Sequence, residues 1–397
     1  MPQRFDCVIV GGGPAGLSFA AMLGRLGLSV AIVEQAEVAT LAEPEPDGRD
    51  IALTHLSRAI LERLDVWARF PDAEIAPIRR AEVKNGSSPY ALTFDHPPQA
   101  HDALGFLVAN HVIRRALYRS VLDLPNVQLL TSVKATALSL DAASARLETT
   151  AGSFETPLVV AADSRFSAVR RMAGIAAKMR DFGRVCIVSR ISIERPHDEI
   201  ATEWFDYDRT LAALPLNDHQ LSVVLTIDST GGATEMASSA EAFAAEVERR
   251  FAGRWGTMRL LGERHAYPLV AVYADRFVAR RFALVGDAAV GMHPVTAHGY
   301  NFGLRGADAL ARGIEGALSL GLDIASPSLL ERYDRDHRAA TWPLYTATNA
   351  LVSLYTDNQP LARIGRDALL RLGNVLGPVK SLMMGKLTEI EPSRRSA

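Results

Sequence analysis

The chain has 397 residues, 48% of them hydrophobic and 22% charged, with a formal net charge of -2 at pH 7. At roughly 150 residues per domain this length implies two or three units, and the composition excludes a disordered or fibrous class. The balance of acids and bases excludes the basic footprint of a nucleic-acid binder, so nucleic acid is not an expected partner.

Taken in chain order, the first expected element is a strand, FDCVIV at Phe5 to Val10. It leaves no room for a charged leader followed by a separate apolar signal region, and no apolar run approaches the roughly 18 to 20 residues that span a bilayer. The expected location is the cytoplasm, with attachment at the inner face of a membrane left open. The strand runs into GGGPAG, a helix-like LSFAAMLGRLG and a second strand LSVAIVE, the opening of a doubly wound α/β sheet. Gly11, Gly13 and Gly16 form GxGxxG between strand and helix, and Glu34 closes the next strand. The first glycine permits the tight turn, the second lets backbone approach a pyrophosphate, and the third lets helix pack on strand. The helix N-terminus offers its free N–H groups to the phosphates, and Glu34 can accept the ribose hydroxyls. Pro14 and Ala15 inside the loop and Gln35 beside Glu34 are counted with the cofactor-binding residues. This unit reads the adenosine diphosphate half common to NAD and FAD and does not choose between them. The chain carries one such fingerprint, whereas a two-nucleotide reductase is expected to carry a second.

The loop EPEPDGR (Glu43 to Arg49) breaks regularity, and Leu53 to Phe70 resumes helical spacing through Leu56, Ile60, Leu61 and Leu64. Val112 to Leu122 reads as a helix ended by Leu124-Pro125-Asn126, and Val127 to Ala162 as a meander closing on the buried strand LVVAA. Strands are expected again from Val185 to Ile227, and SSAEAFAAEVERRF is an amphipathic helix. FALVGDAA then returns to the first domain as a strand feeding a helix. The expected organisation is a Rossmann-like nucleotide-binding domain in three pieces, 1–72, 100–181 and 269–325. A sheet-based substrate domain takes 73–99 and 182–268, and C-terminal helices take 326–397. The two cysteines, Cys7 and Cys186, lie in apolar runs and read as buried free thiols in a reducing compartment.

The segment GDAAVGMHPVTAHGYNFGLRG, Gly286 to Gly306, holds His293 and His298. Neither has a carboxylate or cysteine partner at useful spacing, and a catalytic zinc commonly takes three protein ligands, so no metal site is expected. At Pro360 to Lys386 the stretch PLARIGRDALLRLGNVLGPVKSLMMGK interleaves apolar residues with Arg363, Arg366, Arg371, Lys380 and Lys386. That pattern suits a membrane surface or an acidic partner, and equally a packed pair of helices with a solvated cationic face.

VVAADSRFSAVRR (Val159 to Arg171) resembles the second motif of the aromatic-ring flavin hydroxylases, mapping onto Asp163, Ser167 and Arg170, with Ser164 where that family usually has glycine. FALVGDAAVGMHP resembles their third motif, through Gly286, Asp287 and Pro294. Among these proteins the chain is most similar to the ubiquinone-biosynthesis flavin hydroxylases, whose third motif continues as His-Pro, Gly-Gln-Gly and Asn-Leu-Gly-Leu-Arg. Here it reads His293-Pro294, Ala297-His298-Gly299 and Asn301-Phe302-Gly303-Leu304-Arg305. Ala-His in place of Gly-Gln looks like the branch acting on demethoxyubiquinol.

The resemblance implies FAD as cofactor and NAD(P)H as electron donor. It implies O2 as co-substrate and hydroxylation, through a flavin hydroperoxide, of the ring of a polyprenylated quinol or phenol. Other ubiquinone-biosynthesis proteins and the membrane surface are implied partners. It also implies an arginine near the flavin at Arg49, a polar contact to the cofactor from Asn110, and roles for Asp163 and Arg170 in shaping the pyrophosphate and nicotinamide side. In physical terms, Asp287 at a strand end can accept a ribityl hydroxyl while Gly286 allows close approach. A helix beginning at Gly299, Tyr300 and Asn301 can aim N–H groups at the pyrimidine end of the ring, where negative charge gathers on reduction. Pro294 follows the turn beside the ring. His298 either donates a proton or orients a phenol, or only marks a branch of the family. No side chain need be a nucleophile, in keeping with the lack of a Ser-His-Asp set. The alternatives are a flavin hydroxylase of a soluble phenol and a non-catalytic dinucleotide-binding or prenyl-binding protein.

Overall fold

The computed structural model describes residues 2–86, 88, 90–95, 103–206, 209–292, 299–356, 385 and 388–389. The strand Cys7–Val10 is buried along its whole length and pairs in parallel with Val30–Val33 on one side and Leu158–Ala161 on the other. Both neighbours are equally buried and apolar, as strands covered by helices on both faces must be. The full sheet runs Val278–Ala279, Phe282–Leu284, Leu158–Ala161, Cys7–Val10, Val30–Val33, Val127–Leu130. The helices Pro14–Arg25, Asn110–Leu122 and Gly299–Ser319 supply Leu17, Phe19, Ile113, Leu117, Leu304 and Leu310 to the core around it. Pro14 opens the first of these helices, at the position where a missing N–H costs nothing.

A second sheet has eight strands, in the order Val290–Gly291, Met258–Ala274, Ala177–Ile193, Gln220–Asp228, Arg209–Leu216, Ile200–Asp206, Arg80–Asn85, Ala91–Asp95. Its alternating pattern gives it two faces. Ile187, Ile191, Leu211, Val223 and Leu225 point to one, where they meet Phe243 and Phe251 of the region of the helix Ala240–Arg250 in a separate core. The opposite face meets the loop before Arg49. The two longest strands, Ala177–Ile193 and Met258–Ala274, pair with each other and are 17 residues each, crossing positions 182 and 268. Register shifts at Asp181/Val185 and Val188/Arg190 bend the pair. A small sheet of Asp50–Leu53, Gly105–Ala109 and Ala76–Ile78 lies between the two large ones.

Three expectations are corrected. The helix expected over 53–70 is His55–Arg63, followed by a turn and the short 3-10 segment Trp67–Arg69. Leu64 and Val66 are both buried, a spacing of two that one helix face does not provide, and Asp65 between them takes φ 52° and turns the chain. Val127–Leu130 joins the parallel sheet beside Val30–Val33, so the antiparallel meander is only Ala135–Leu140, Ala145–Thr149 and Gly152–Thr156. The strand Phe282–Leu284 leads into a single 3-10 turn, Gly286–Ala288, and the long helix begins only at Gly299. Gly286 at φ 62° turns the chain away from a continuous helix there. Among the described residues no helix is long and apolar enough to cross a membrane. His293, Pro294 and His298, and all but Gly385 of the stretch from Pro360 to Lys386, lie outside the described residues.

Candidate functional site

The three glycines of the first loop are held differently. Gly11 has φ 113°, and a Cβ there would stand 2.4 Å from the Ala162 carbonyl oxygen. A Cβ on Gly16 would stand 2.0 Å from the carbonyl of Gly11. At Gly13 no described atom lies within 4 Å of the added carbon, so this backbone borders open space. Gly13 is the N-cap of the helix Pro14–Arg25 and supplies no side-chain cap, leaving first-turn N–H groups available to an anion. Across the loop, Glu34 accepts the Gly12 N–H at 2.5 Å and the Ala36 N–H at 2.7 Å. Each oxygen keeps lone pairs for a ribose diol. Gln35 is exposed beside it.

The third motif packs directly on the first. A Cβ on Gly286 would meet the Ala15 methyl at 2.8 Å, and one on Gly303 would meet the Gly286 Cα at 3.1 Å. Asp287 pairs with Arg165 at 2.9 Å, and Arg165 also donates to the Val270 carbonyl at 2.9 Å. In the second motif, Asp163 accepts from the Ala168 N–H at 2.9 Å, capping the short helix Ala168–Met172, and its other oxygen is buried without a partner among the described residues. Arg170 is buried and donates to the carbonyls of Ala288 at 2.9 Å and Arg165 at 3.2 Å, forming a strut between the second and third motifs.

Two residues expected at the cofactor direct their polar groups elsewhere. The Tyr300 hydroxyl lies 3.1 Å from Ser18 Oγ of the first helix. The Asn301 amide oxygen accepts from the Thr54 N–H at 3.1 Å and the Ser57 hydroxyl at 2.7 Å, while its nitrogen donates to the Ala52 carbonyl at 2.8 Å. Their side chains fasten the start of the helix Gly299–Ser319, and it is the first-turn backbone, with Gly299, that remains to face a ligand.

Arg49 and Asn110 meet through a residue that no motif announced. Asp47 Oδ2 accepts from Arg49 Nη2 at 2.5 Å and from Asn110 Nδ2 at 2.7 Å. Burial opposes the Asp47 charge, but the hydrogen bonds and charge of Arg49 and the Asn110 amide outweigh it and hold the carboxyl below the usual range. The Arg49 guanidinium lies over the Tyr267 ring at 5.2 Å, and the Tyr267 hydroxyl donates to the Asp47 carbonyl at 2.7 Å, so the loop is clasped to the eight-stranded sheet. Next to it, Arg190 of that sheet pairs with Asp50 at 2.8 Å. Arg165 lay inside a quoted motif and Asp47 beside Arg49, but nothing in the sequence pointed to Tyr267 or Arg190, which reach the loop only through sheet register.

The open backbone at Gly13, the free helix end, the backbone-held carboxylate of Glu34 and the neighbouring Asp287 fit a dinucleotide laid across the first and third motifs. A family model described as FAD binding domain matches residues 4–348. Over 98% of this chain and 85% of the relative, the sequence is 45% identical to ubiquinone hydroxylase UbiM of Neisseria meningitidis. It is 36% identical to ubiquinone hydroxylase UbiL of Rhodospirillum rubrum, covering 96% of this chain and 88% of the relative. With the 3-demethoxyubiquinol 3-hydroxylase of Escherichia coli it shares 30% identity, over 95% and 97% respectively. In fold it is similar to p-nitrophenol 4-monooxygenase PnpA of Pseudomonas putida, with a TM-score of 0.76 at 22% identity over 98% of this chain and 99% of that one.

Proposed function

The chain belongs to the FAD binding domain family and, within it, to the FAD-dependent aromatic-ring hydroxylases of ubiquinone biosynthesis, and from that premise we propose that its substrate is a polyprenylated ubiquinone precursor, demethoxyubiquinol in the first place. The observation that carries this reading is the packing of the first motif on the third, with Asp287 near Arg49 of the loop that Tyr267 clasps to the eight-stranded sheet. The likeness of Ala297-His298-Gly299 to the demethoxyubiquinol branch favours that ring.

When bound, FAD takes two electrons from NAD(P)H and activates O2, so that one oxygen atom enters the ring and the other leaves as water. The chain's own residues bind and orient. The backbone from Gly11 to Gly16 and the first turn of Pro14–Arg25 face the pyrophosphate, Glu34 accepts the ribose hydroxyls, and Asp287, steadied by Arg165, accepts from the ribityl chain. The N–H groups at Gly299 to Asn301 stabilise negative charge on the pyrimidine side of the ring. The Arg49–Asp47–Tyr267 clasp fixes this loop against the eight-stranded sheet. His298 is proposed to donate a proton or orient the phenol, so His298→Gln should flatten the pH dependence of turnover near neutrality. An unchanged profile removes it from the chemistry.

The basic stretch from Pro360 to Lys386 is proposed to hold the protein at the inner membrane face, where a polyprenylated ring is found. Flotation with anionic liposomes should be lost on truncation before Pro360, and equal binding by both forms rejects the anchor. Quinone profiling by mass spectrometry after deletion of the gene tests the function itself. Accumulation of a demethoxylated precursor is expected, and a normal quinone pool contradicts it.

A further inference from the structure

Two glutamates on adjacent strands of the eight-stranded sheet, Glu82 and Glu203, look to opposite faces. Glu82 is on the helix-covered side, where it pairs with Arg254 at 2.5 Å and accepts from Thr202 at 3.2 Å. Glu203 lies one residue further along its strand than Thr202, so it faces the other way, toward the loop that carries Arg49. Strand register places Val83, Ala212, Val224 and Val188 in its cross-sheet row, all uncharged. That row continues to His265 and runs under the loop that carries Arg49, since a Cβ on Gly48 would stand 2.8 Å from His265 Cδ2 and 2.9 Å from Val188 Cγ2. At about 4.8 Å per strand, Glu203 sits roughly 14 Å from Val188 along the sheet.

Among the described residues Glu203 makes no hydrogen bond and no ion pair. Its side chain keeps part of its surface accessible, while burial by the surrounding protein governs its carboxyl. A carboxyl in such a place, without a protein partner, is matched to a polar group that arrives with a ligand.

We infer that Glu203 is the specificity-determining residue of the aromatic pocket, its carboxyl binding an oxygen substituent of the substrate ring and thereby setting which ring carbon faces the flavin. The inference rests on the proposed reading of this face as the substrate side. Burial alone pushes the carboxyl up to about 8. At neutral pH it is therefore mainly the neutral acid, which both donates to and accepts from a phenol or quinol hydroxyl. On the strands flanking it, the residues facing the same way are uncharged; the titratable groups on that face are Tyr90, packed with Val83 at the sheet edge two strands away, Cys186 and Arg190 three strands away on the other side, and His265 beyond them. The pocket thus favours an uncharged ring hydroxyl over a phenolate.

The test uses the full FAD-loaded chain, with a geranylated phenol and its methyl ether as probes and dissociation constants measured by fluorescence between pH 6 and 9. Wild type should prefer the phenol and lose that preference as pH passes about 8. Glu203→Leu should weaken phenol binding about tenfold and leave the ether unchanged, the size of one lost hydrogen bond. Glu203→Gln should stay within about threefold of wild type at pH 7 and lose the pH dependence. Unchanged phenol binding with an unchanged pH profile in Glu203→Gln, or equal loss for phenol and ether in Glu203→Leu, overturns the assignment. Retained FAD and an unchanged melting temperature control for folding, and if the leucine variant does not fold, the pH profile of Glu203→Gln decides alone. A normal quinone pool in the deletion strain together with the expected binding shifts would sink the ubiquinone reading and leave Glu203 in place. The reverse combination removes only Glu203.

Discussion

Gly13 and Gly16 stand three residues apart, at the N-cap and in the first turn of one helix, and the space around them differs completely. A methyl on Gly16 runs into the Gly11 carbonyl, so Gly16→Ala should destabilise the fold by about 1–3 kcal/mol in chemical denaturation. A methyl on Gly13 meets no described atom within 4 Å. Gly13→Ala should therefore change stability by less than about 0.5 kcal/mol and weaken FAD retention on dilution, because the methyl occupies the ligand's side. A destabilised Gly13→Ala with unimpaired flavin would refute that division. Glu203 gives a second prediction at this scale. Its carboxyl is raised from 4.5 to about 8 in the fold, so between these values the folded state holds a proton that the unfolded state has released. Stability from this group is complete below about pH 4.5 and is lost as pH rises through 8. Melting temperatures of wild type and Glu203→Gln should accordingly diverge from pH 5 to pH 8 and run parallel above it. Cys7 and Cys186 are buried, and burial pushes Cys186 up to about 12 and Cys7 higher still. Neither thiol should react with iodoacetamide at pH 8 until the protein unfolds.

At the scale of elements, the helix Gly299–Ser319 is positioned by side chains that the motif suggested for the cofactor. Asn301 makes three hydrogen bonds to the segment from Ala52 to Ser57, and Tyr300 reaches Ser18 on the first helix. Asn301→Ala should cost about 2–3 kcal/mol in urea unfolding, since it strips buried partners from Thr54 and Ser57, whereas Tyr300→Phe should cost about 1 kcal/mol. The strand, loop and helix at the N-terminus were legible because their patterns are local: four consecutive apolar residues, three glycines and a proline at the first helical position. The end of the helix at Arg63 was not, because Leu64 continues the apolar spacing, and only the packing of Val66 as well as Leu64 requires the turn at Asp65.

At the scale of the whole molecule, the eight-stranded sheet is tied by Tyr267 to the loop at Asp47 and by Arg190 to Asp50 of the small three-stranded sheet. The Asp50 side chain is 1% exposed, and one of its oxygens has no partner among the described residues. Arg190→Leu leaves that charge uncompensated and should destabilise by about 2–4 kcal/mol. The double variant with Asp50→Asn should recover most of the loss, because the charge itself is removed. A double variant as unstable as Arg190→Leu would show that the pair acts through packing alone. The sequence by itself determined the dinucleotide fold, since it is written in short stretches whose glycines, acids and apolar runs act on their immediate neighbours, and the resemblance of its motifs implied FAD and the hydroxylase family. Only the tertiary structure decided that Arg170 is a strut, that Asn301 is a fastener, and that Asp47 joins Arg49 to Asn110. It also decided that Glu203 stands on the sheet face opposite the helix-covered core. Those roles depend on which strand lies beside which and on a side-chain period of two, where one residue of register moves a carboxylate from the helix-covered core to the opposite face.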